Sequence, residues 1–337
     1  MSELETTARA IVAPGKGILA ADESAPTIEK RFKSIDVEST EENRRKYREM
    51  LFRTEGAEEF VSGVILFDET IRQPAADGTL LPKVLESKGI IPGIKVDTGA
   101  KQLAGSPTEK ITEGLDGLRD RLAEYRGLGA RFAKWRAVIT IGDGIPTDYC
   151  LATNAHALAR YAALCVEAGI VPIVEPEVLM DGRHSIDTSD DVTTRALHHL
   201  FDALFDQRVP LTQTLLKPNM VLAGFDCPEQ ANVREVAERT LACFRRVVPA
   251  AVPGIVFLSG GQSDELATAH LNEMNKQGGG PWELSFSYGR ALQAPALKAW
   301  GGSDASLAAG QKAYYHRAKC NSAARHGTYT AAMENAA

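Results

Sequence analysis

The segment "TLLKPNMV", residues 214–221, is a short apolar stretch that carries one charged residue. Leu215 and Leu216 are typical of a buried strand, whereas Pro218 lacks the N–H group that would continue regular pairing. Lys217 therefore lies where the strand is expected to end. Seven other apolar runs end in polar or charged residues in the same way: "GILAAD" (17–22), "VSGVILFDE" (61–69), "IPGIKVD" (91–97), "FAKWRAVI" (132–139), "VPIVEPEV" (171–178), "GIVFLSGG" (254–261) and "WELSFSYG" (282–289).

The segments between these runs have the spacing of amphipathic helices, with apolar residues recurring three to five apart in 115–125 and 233–248. Strands that alternate with helices predict an α/β fold with a parallel sheet and right-handed crossovers. Eight such units favour closure into a (β/α)8 TIM barrel over the competing open, doubly wound sheet. We expect a single barrel domain over 1–337, with an N-terminal helix in 1–14 and a C-terminal helix plus tail in 303–337.

The composition of the chain disfavours several broad classes of protein. Its 337 residues carry a formal charge of −6 and no long basic run, which argues against a nucleic-acid binder. No apolar run approaches the roughly 20 residues of a membrane helix, and the N-terminal residues do not resemble a signal peptide. We therefore expect a cytoplasmic protein with no nucleic-acid partner and no membrane contact.

Metal and dinucleotide sites are also disfavoured. The five cysteines are scattered and form no C-x-x-C pair, and the seven histidines form no H-E-x-x-H motif. The segment "GKGILA" (15–20) matches G-x-G-x-x-A, but that fingerprint has to follow a strand and open a helix. Here a predicted helix precedes it and a predicted strand follows it. We expect neither a nicotinamide cofactor nor a metal.

Ionisable residues and glycines collect at the predicted strand ends, which lie together at one mouth of a barrel. Each has a structural alternative: a lysine can extend into solvent, an aspartate can cap a helix, a glutamate can pair with a lysine, and the glycines can form a turn before a helix capped by Ser263 or Asp264. Their coincidence on at least six of the eight strands favours a functional site. The strand-end residues are Asp22, Lys95, Lys134, Arg136, Glu175, Glu177, Lys217, Ser259, Gly260, Gly261 and Arg290.

Five of these residues are cations in a chain that is acidic overall, so the mouth suits an anionic substrate. The segment "SGGQSDEL" (259–266) adds a glycine turn at a predicted helix N-terminus, where free N–H groups bind phosphate. The segment "SYGR" (287–290) adds a hydroxyl, a glycine and a guanidinium from the neighbouring strand. Barrels often bind phosphate after strands 7 and 8, where both segments lie.

The crowded lysines predict a nucleophile. A desolvated lysine beside another cation loses its proton more easily, and a neutral amine can attack a carbonyl. Lys217, with Lys134 as its neighbour, is therefore the candidate for a Schiff base. Glu175 could move protons during imine formation, and Asp22 could accept a hydroxyl proton from the substrate. The residues alone predict a lysine-dependent lyase that acts on a phosphorylated carbonyl compound.

Six segments, "KGILAADES", "AKWRAVI", "VPIVEPEVL", "LLKPNMVL", "FLSGGQS" and "SFSYGRALQ", closely resemble class I fructose-bisphosphate aldolases in the family's order. The resemblance implies reversible cleavage of fructose 1,6-bisphosphate to dihydroxyacetone phosphate and glyceraldehyde 3-phosphate, in glycolysis and gluconeogenesis. It implies that Lys217 forms the Schiff base and that Glu175, supported by Glu177, transfers protons. Asp22, assisted by Lys134, would be the base for carbon–carbon cleavage.

The resemblance also implies two groups of substrate-binding residues, no metal, no other cofactor and commonly a homotetramer. One phosphate of the phosphorylated sugar would meet Ser259, Gly260, Gly261, Ser287, Gly289 and Arg290. The residues toward the other end of the substrate would be Ser24, Arg31, Lys95 and Arg136.

Three departures from the family's pattern stand out. Thr212 and Gln213 replace a usual Glu-Gly pair before "LLKPN", and we expect altered packing there. The segment 25–27 reads Ala-Pro-Thr where animal members have Thr-Gly-Ser, which puts the second hydroxyl contact to phosphate in doubt. Animal members also carry a C-terminal tyrosine, a role that we do not assign to Tyr329. Preference between fructose 1,6-bisphosphate and fructose 1-phosphate stays open.

Three alternatives are weighed against this interpretation. A transaldolase-like Schiff-base barrel would not need to bind a phosphate at both ends of its substrate. A zinc-dependent aldolase is disfavoured because the histidines are not clustered. A binding protein on an inactive barrel is disfavoured because Asp22, Lys134, Glu175 and Lys217 are all present.

Overall fold

The computed structural model describes residues 1–335, and ten strands form within them. Eight parallel strands close into a barrel in the order β1–β10–β9–β8–β7–β6–β3–β2. This arrangement confirms the predicted (β/α)8 TIM barrel. The strands are β1 (Gly17–Ala21), β2 (Val61–Leu66), β3 (Ile91–Lys95), β4 (Ala100–Leu103), β5 (Ser106–Thr112), β6 (Phe132–Ile139), β7 (Val171–Val178), β8 (Leu215–Leu216), β9 (Gly254–Phe257) and β10 (Glu283–Tyr288).

Helices connect the barrel strands and cover their outer faces. The helix predicted in 1–14 is α1, and the one predicted in 303–337 is α12; residues 336 and 337 of the predicted tail lie outside the described residues. The helices are α1 (Glu3–Ile11), α2 (Ala25–Lys33), α3 (Glu41–Phe52), α4 (Asp68–Arg72), α5 (Leu81–Ser87), α6 (Leu118–Gly127), α7 (Asp148–Glu167), α8 (Ile186–Asp206), α9 (Val233–Val247), α10 (Asp264–Lys276), α11 (Arg290–Trp300) and α12 (Leu307–Arg325).

Apolar side chains fill the lower part of the barrel and form a separate layer between strands and helices. Leu215 belongs to the barrel interior, whereas its neighbour Leu216 belongs to the outer layer, as the alternation of strand side chains requires. Phe132 also lies inside, and a Cβ atom at Gly93 on the neighbouring strand would collide with its ring. The interior layer comprises Ile18, Ala20, Ile65, Phe132, Val171, Ile173, Leu215 and Val256, with Ala8, Ile11 and Val12 beneath it.

The predicted strand over 214–221 is far shorter in the structure, because regular pairing is confined to β8. The chain beyond β8 nevertheless stays bonded to both neighbouring strands. The N–H of Lys217 donates to the carbonyl of Val174 at 2.8 Å, and Pro218 accepts from Leu258 at 3.2 Å. The side chain of Asn219 accepts from the N–H of Val178 at 3.1 Å, in place of a backbone carbonyl. The lysine is therefore held firmly although it lies outside the ladder.

An antiparallel hairpin of β4 and β5, which the sequence analysis does not predict, follows β3 at the mouth of the barrel. Its strands are largely exposed and polar, so they lack the apolar pattern of the barrel strands. Gly105 forms its turn with a left-handed φ of +75°. The hydroxyl of Thr112 donates to the carbonyl of Arg136 at 2.7 Å and ties the hairpin to β6.

Candidate active site

All fifteen residues that the sequence predicts for the site line one pocket of about 670 Å³ at the C-terminal mouth of the barrel. Four of them share the centre of the pocket: Asp22 follows β1, Lys134 lies on β6, Glu175 lies on β7 and Lys217 follows β8. The strands bring these residues together because β1, β6, β7 and β8 end at the same face of the closed barrel. The structure thus gathers positions from one end of the sequence to the other.

The centre of the pocket is a chain of four charged side chains. Lys217 Nζ lies 3.2 Å from one oxygen of Glu175, and Lys134 Nζ lies 3.4 Å from the other. Lys134 also contacts Asp22 at 2.6 Å, which joins β6 to the end of β1 across the mouth. Lys217 is only 4% exposed, and Lys134 and Glu175 are similarly buried. Two lysine side chains and two acidic side chains are therefore held in contact away from bulk water.

Charge pairing determines the protonation states of Asp22 and Lys134. Burial alone would raise the pKa of Asp22, but the nearby Lys134 and Lys217 outweigh it and hold that pKa well below its ordinary value. Burial would lower the pKa of Lys134, yet Asp22 and Glu175 raise it above its ordinary value. Asp22 is thus a carboxylate and Lys134 an ammonium ion at neutral pH.

Two further cations on the same side of the pocket are also paired. Lys95, at the end of β3, lies 3.0 Å from Asp97, and Arg136 on β6 pairs with Glu177 on β7. Asp97 also accepts from the backbone N–H of Gly99 at 3.2 Å. Sequence reasoning missed Asp97, although its position two residues after Lys95 is the same signal that linked Lys134 with Arg136.

Arg31 reaches the pocket from α2 and pairs with Glu23, another residue that the sequence analysis does not single out. Glu23 also lies 3.5 Å from the fully buried Arg48 and accepts from Gln293 at 2.8 Å. The guanidinium of Arg31 comes within 3.6 Å of the place that a Cβ atom would take at Gly289. Arg31 therefore lies nearer the segment 287–290 than its assignment to the far end of the substrate implied.

The ends of β9 and β10 supply hydroxyls, glycines and one arginine. Gly260 and Gly261 have left-handed φ values of +62° and +110°, which a glycine adopts without strain. The buried hydroxyl of Ser287 has no hydrogen-bond partner among residues 1–335, although it lines the pocket. A polar atom buried without a partner costs free energy, so this hydroxyl is suited to meet a ligand. The six predicted phosphate-binding residues here are Ser259, Gly260, Gly261, Ser287, Gly289 and Arg290.

The helix terminus available to an anion differs from the one that the sequence suggested. The segment 259–266 was expected either to present free N–H groups to phosphate or to be a turn before a helix capped by Ser263 or Asp264, and the hydroxyl of Ser263 does cap α10 by accepting from Leu266. The N-terminus of α11, at Gly289, has no side-chain cap and borders the same pocket. Its first N–H groups and the helix dipole are therefore free to face an anion.

Two of the departures from the family's pattern acquire a structural role. Thr27 also lines the pocket, and its hydroxyl lies 3.2 Å from that of Ser24, so a second hydroxyl is present at this corner. Thr212 donates to Glu5 at 2.9 Å, and Gln213 donates to the hydroxyl of Ser2 at 3.2 Å. This pair anchors the start of α1 and lies outside the pocket lining.

Tyr329 does not line the pocket, and its hydroxyl donates to Glu334 at 2.8 Å. Glu334 also forms a two-pronged ion pair with the buried Arg317. In the described part of the chain, His316, Cys320 and Glu334 are the group that comes close enough to share an ion. Arg317 and Tyr329 already bond to the carboxylate of Glu334, and none of these three residues lines the pocket. The cluster is therefore not a metal site of the pocket.

A barrel with a buried lysine–carboxylate centre and a phosphate-type corner defines a class of enzyme that forms covalent imines with carbonyl substrates. Comparisons with known proteins give the family. The family model for glycolytic fructose-bisphosphate aldolase class-I matches residues 3–337. The chain belongs to the class I fructose-bisphosphate aldolase family.

Its relatives cover almost the entire chain. A protein of Xanthomonas campestris pv. campestris named probable fructose-bisphosphate aldolase class 1 is 58% identical over 98% of this chain and 99% of its own length. The fructose-bisphosphate aldolase of Dictyostelium discoideum is 53% identical over 97% of this chain and 93% of its own. A solved Plasmodium falciparum aldolase, in complex with TRAP and a small-molecule inhibitor, has a TM-score of 0.96 and 49% identity over 97% of this chain and 95% of that one.

Membership of the family establishes the activity expected from the sequence. The chain is an aldehyde-lyase of glycolysis that cleaves fructose 1,6-bisphosphate reversibly into dihydroxyacetone phosphate and glyceraldehyde 3-phosphate. Class I aldolases use a Schiff base and need no metal. Within residues 1–335, no helix combines the length and apolar character needed to span a membrane.

Proposed function

We propose that Lys217 forms the Schiff base and that the charged residues around it move the protons of the reaction. The observation that carries this proposal is the continuous contact chain Lys217–Glu175–Lys134–Asp22 at the barrel mouth. Lys217 would be the nucleophile, Glu175 the proton carrier and Asp22 the base. The contacts that link them are short enough for proton transfer after small side-chain movements.

Imine formation begins when Lys217 Nζ, as the neutral amine, attacks the substrate ketone. A carbon–nitrogen bond forms, and the former carbonyl oxygen leaves as water once it has been protonated. Glu175 lies 3.2 Å from Nζ, so it accepts the amine proton and returns a proton to the departing hydroxyl. Glu177 acts by pairing with Arg136 on the neighbouring strand and so holding that guanidinium in place.

Carbon–carbon cleavage then uses the positive imine as an electron sink. Asp22 accepts the proton of the hydroxyl on the second carbon from the imine, which becomes the aldehyde of the released product. The bond between that second carbon and the carbon next to the imine breaks, and its electron pair forms an enamine with the imine. Protonation of the enamine and hydrolysis release dihydroxyacetone phosphate and regenerate Lys217. Lys134 orients both Asp22 and Glu175 through its two contacts.

Two groups of residues support a substrate with a phosphate at each end. The corner formed by the ends of β9 and β10, with the uncapped N-terminus of α11, fits one phosphate. The paired hydroxyls of Ser24 and Thr27, together with Lys95 and Arg136, fit the other. This arrangement favours fructose 1,6-bisphosphate over fructose 1-phosphate as the preferred substrate.

Trapping of the imine tests the assignment of Lys217. The enzyme is incubated with dihydroxyacetone phosphate in the presence of EDTA, reduced with borohydride, and mapped by mass spectrometry. We expect one stable adduct, on the peptide that contains Lys217. The variant Lys217→Met should form none, whereas Lys101→Ala, which removes an exposed lysine outside the pocket, should be labelled like the unaltered enzyme. An adduct on another lysine would overturn the assignment, and loss of labelling in EDTA would contradict a metal-free reaction.

We further propose a single-domain chain that assembles as a homotetramer in the cytoplasm. The barrel and its covering helices support one domain, which should unfold in one transition in scanning calorimetry. Two Arabidopsis thaliana relatives at 53% identity are named cytosolic, and all five cysteines here are free. Light scattering would exclude the tetramer if it gave the mass of a smaller species, and cell fractionation tests the compartment.

A further inference from the structure

Phe225 is an exposed aromatic residue in a pocket that is lined mainly by charged residues, hydroxyls and glycines. It lies on the segment after β8 and lines the pocket with 46% of its surface exposed. Single exposed aromatic residues are common on protein surfaces, but Phe225 differs from them because it lines the pocket. Its place beside the candidate phosphate-binding residues points to a role in the bound state.

The backbone holds Phe225 in a defined position. Three consecutive N–H groups, those of Gly224, Phe225 and Asp226, donate to carbonyls of the segment 180–184 at 2.8–2.9 Å. A Cβ atom at Gly224 would collide with the carbonyl of Gly182, so glycine permits this close approach. The ring is therefore presented by a rigid turn, which fixes where it can meet a ligand.

The ring lies beside the corner formed by the ends of β9 and β10. A Cβ atom at Gly261 would be 3.3 Å from Phe225 and 3.1 Å from the guanidinium of Arg290. The ring and the guanidinium therefore flank the same glycine. Arg290 is itself exposed. An ion pair between an exposed arginine and a phosphate is weak, because water screens it.

We propose that Phe225 is a specificity-determining residue whose ring covers the phosphate bound at Gly261 and Arg290. The ring excludes water from the arginine–phosphate pair and so strengthens the attraction between the two charges. Ligands that carry a phosphate at this end gain affinity, while the imine chemistry at Lys217 is unaffected. The inference rests on the proposed function, since it takes this corner as a phosphate site.

Inhibition by inorganic phosphate and the KM for fructose 1,6-bisphosphate measure this effect at low and high salt. In Phe225→Ala we expect both constants to rise about fivefold, because an exposed ion pair replaces a covered one. The inhibition constant should also rise more steeply with salt than in the unaltered enzyme. Phe225→Tyr keeps the ring and should retain most of the affinity. The matched control is Phe205→Ala, which removes an aromatic residue that is 83% exposed on α8, outside the pocket.

Two outcomes separate this inference from the proposed function. If Arg290→Ala weakens phosphate inhibition while Phe225→Ala behaves like Phe205→Ala, the phosphate corner stands and the role of Phe225 is wrong. If neither Arg290→Ala nor Phe225→Ala changes phosphate inhibition, the corner is not a phosphate site and both proposals fail. A fall in the yield of borohydride trapping at saturating substrate in Phe225→Ala would also overturn the inference, because the ring would then act on the chemistry.

Discussion

The two sides of the pocket carry similar residue types but differ in how their charges are partnered. On the side of β3, β6 and β7 every cation that lines the pocket has a carboxylate partner: Lys95 with Asp97, Lys134 with Asp22 and Arg136 with Glu177. On the side of β9 and β10, Arg31 is paired with Glu23, but Arg290 has no ion pair within residues 1–335. The hydroxyl of Ser287 and the N-terminus of α11 are likewise unpartnered there.

This difference indicates that one side positions the reacting groups and the other side binds the anion. Paired charges keep each other in place and hold their protonation states, but an incoming anion has to compete with their partners. Unpartnered donors offer their full interaction to an anion, because none of it is already satisfied. Lys217 follows β8, which lies between β7 and β9, so the proposed nucleophile stands at the boundary of the two sides. We infer that phosphate binding energy arises mainly on one side and proton transfer on the other.

Removal of Arg290 should produce the largest change in substrate binding. In Arg290→Ala we expect the KM for fructose 1,6-bisphosphate to rise about thirtyfold, since a hydrogen bond between charged groups contributes about 2 kcal/mol. Steady-state kinetics measures this, and kcat should change much less. The matched control is Arg183→Ala, which removes an exposed arginine outside the pocket lining. An unchanged KM in Arg290→Ala would contradict the contrast between the two sides.

Removal of Lys95 should have a smaller effect, although it too deletes a pocket cation. In Lys95→Ala we expect the KM to rise about threefold to fivefold, because the lysine already shares its charge with Asp97. Asp97 would remain bonded to the N–H groups of Gly99 and Arg136 at 3.2 and 3.3 Å, so it is not left unpaired. The same kinetic assay compares the two variants. If the KM rose as much in Lys95→Ala as in Arg290→Ala, pairing with a carboxylate would not weaken the binding of an anion on the side of β3, β6 and β7.

Much of the architecture follows from the sequence because two simple periodicities carry it. Eight apolar runs separated by helical spacing predict the barrel, and residues two apart on a strand predict that Lys134 and Arg136 face the same way. Boundaries were less predictable. Regular pairing stops at Leu216, since Lys217 and Pro218 bond to neighbours without forming a ladder. The exposed hairpin of β4 and β5 was missed because it has no apolar pattern.

The unpredicted parts of the site depend on contacts between distant segments. That Glu23 pairs with both Arg31 and Arg48 requires the relative placement of helices. The Thr212–Gln213 pair is similar, because its partners on α1 lie more than 200 positions earlier in the chain. Residue type alone could not distinguish a paired cation such as Lys95 from an unpaired one such as Arg290.

The smallest expected effect is a pH dependence of stability that only the paired side should show. The pKa of Asp22 is lower in the folded chain than its ordinary value of about 3.9, so the unfolded chain binds the proton more tightly. The stabilisation from this carboxylate is therefore complete above that ordinary value and is lost as the pH falls toward the lowered folded pKa. At pH 3.5 the loss relative to neutral pH is about 0.7 kcal/mol.

Urea unfolding at pH 7 and pH 3.5, at one protein concentration, compares the unaltered enzyme with Asp22→Asn and Arg290→Ala. The difference in unfolding free energy between the unaltered enzyme and Asp22→Asn should be smaller at pH 3.5 by that amount, because asparagine has no proton to bind. The corresponding difference for Arg290→Ala should change much less, since no carboxylate pairs with Arg290 in residues 1–335 and its charge acts only weakly on the pKa of Asp264. If the Asp22→Asn difference stayed constant or grew in acid, Lys134 would not be holding Asp22 ionised, and the paired side would lose its distinguishing property.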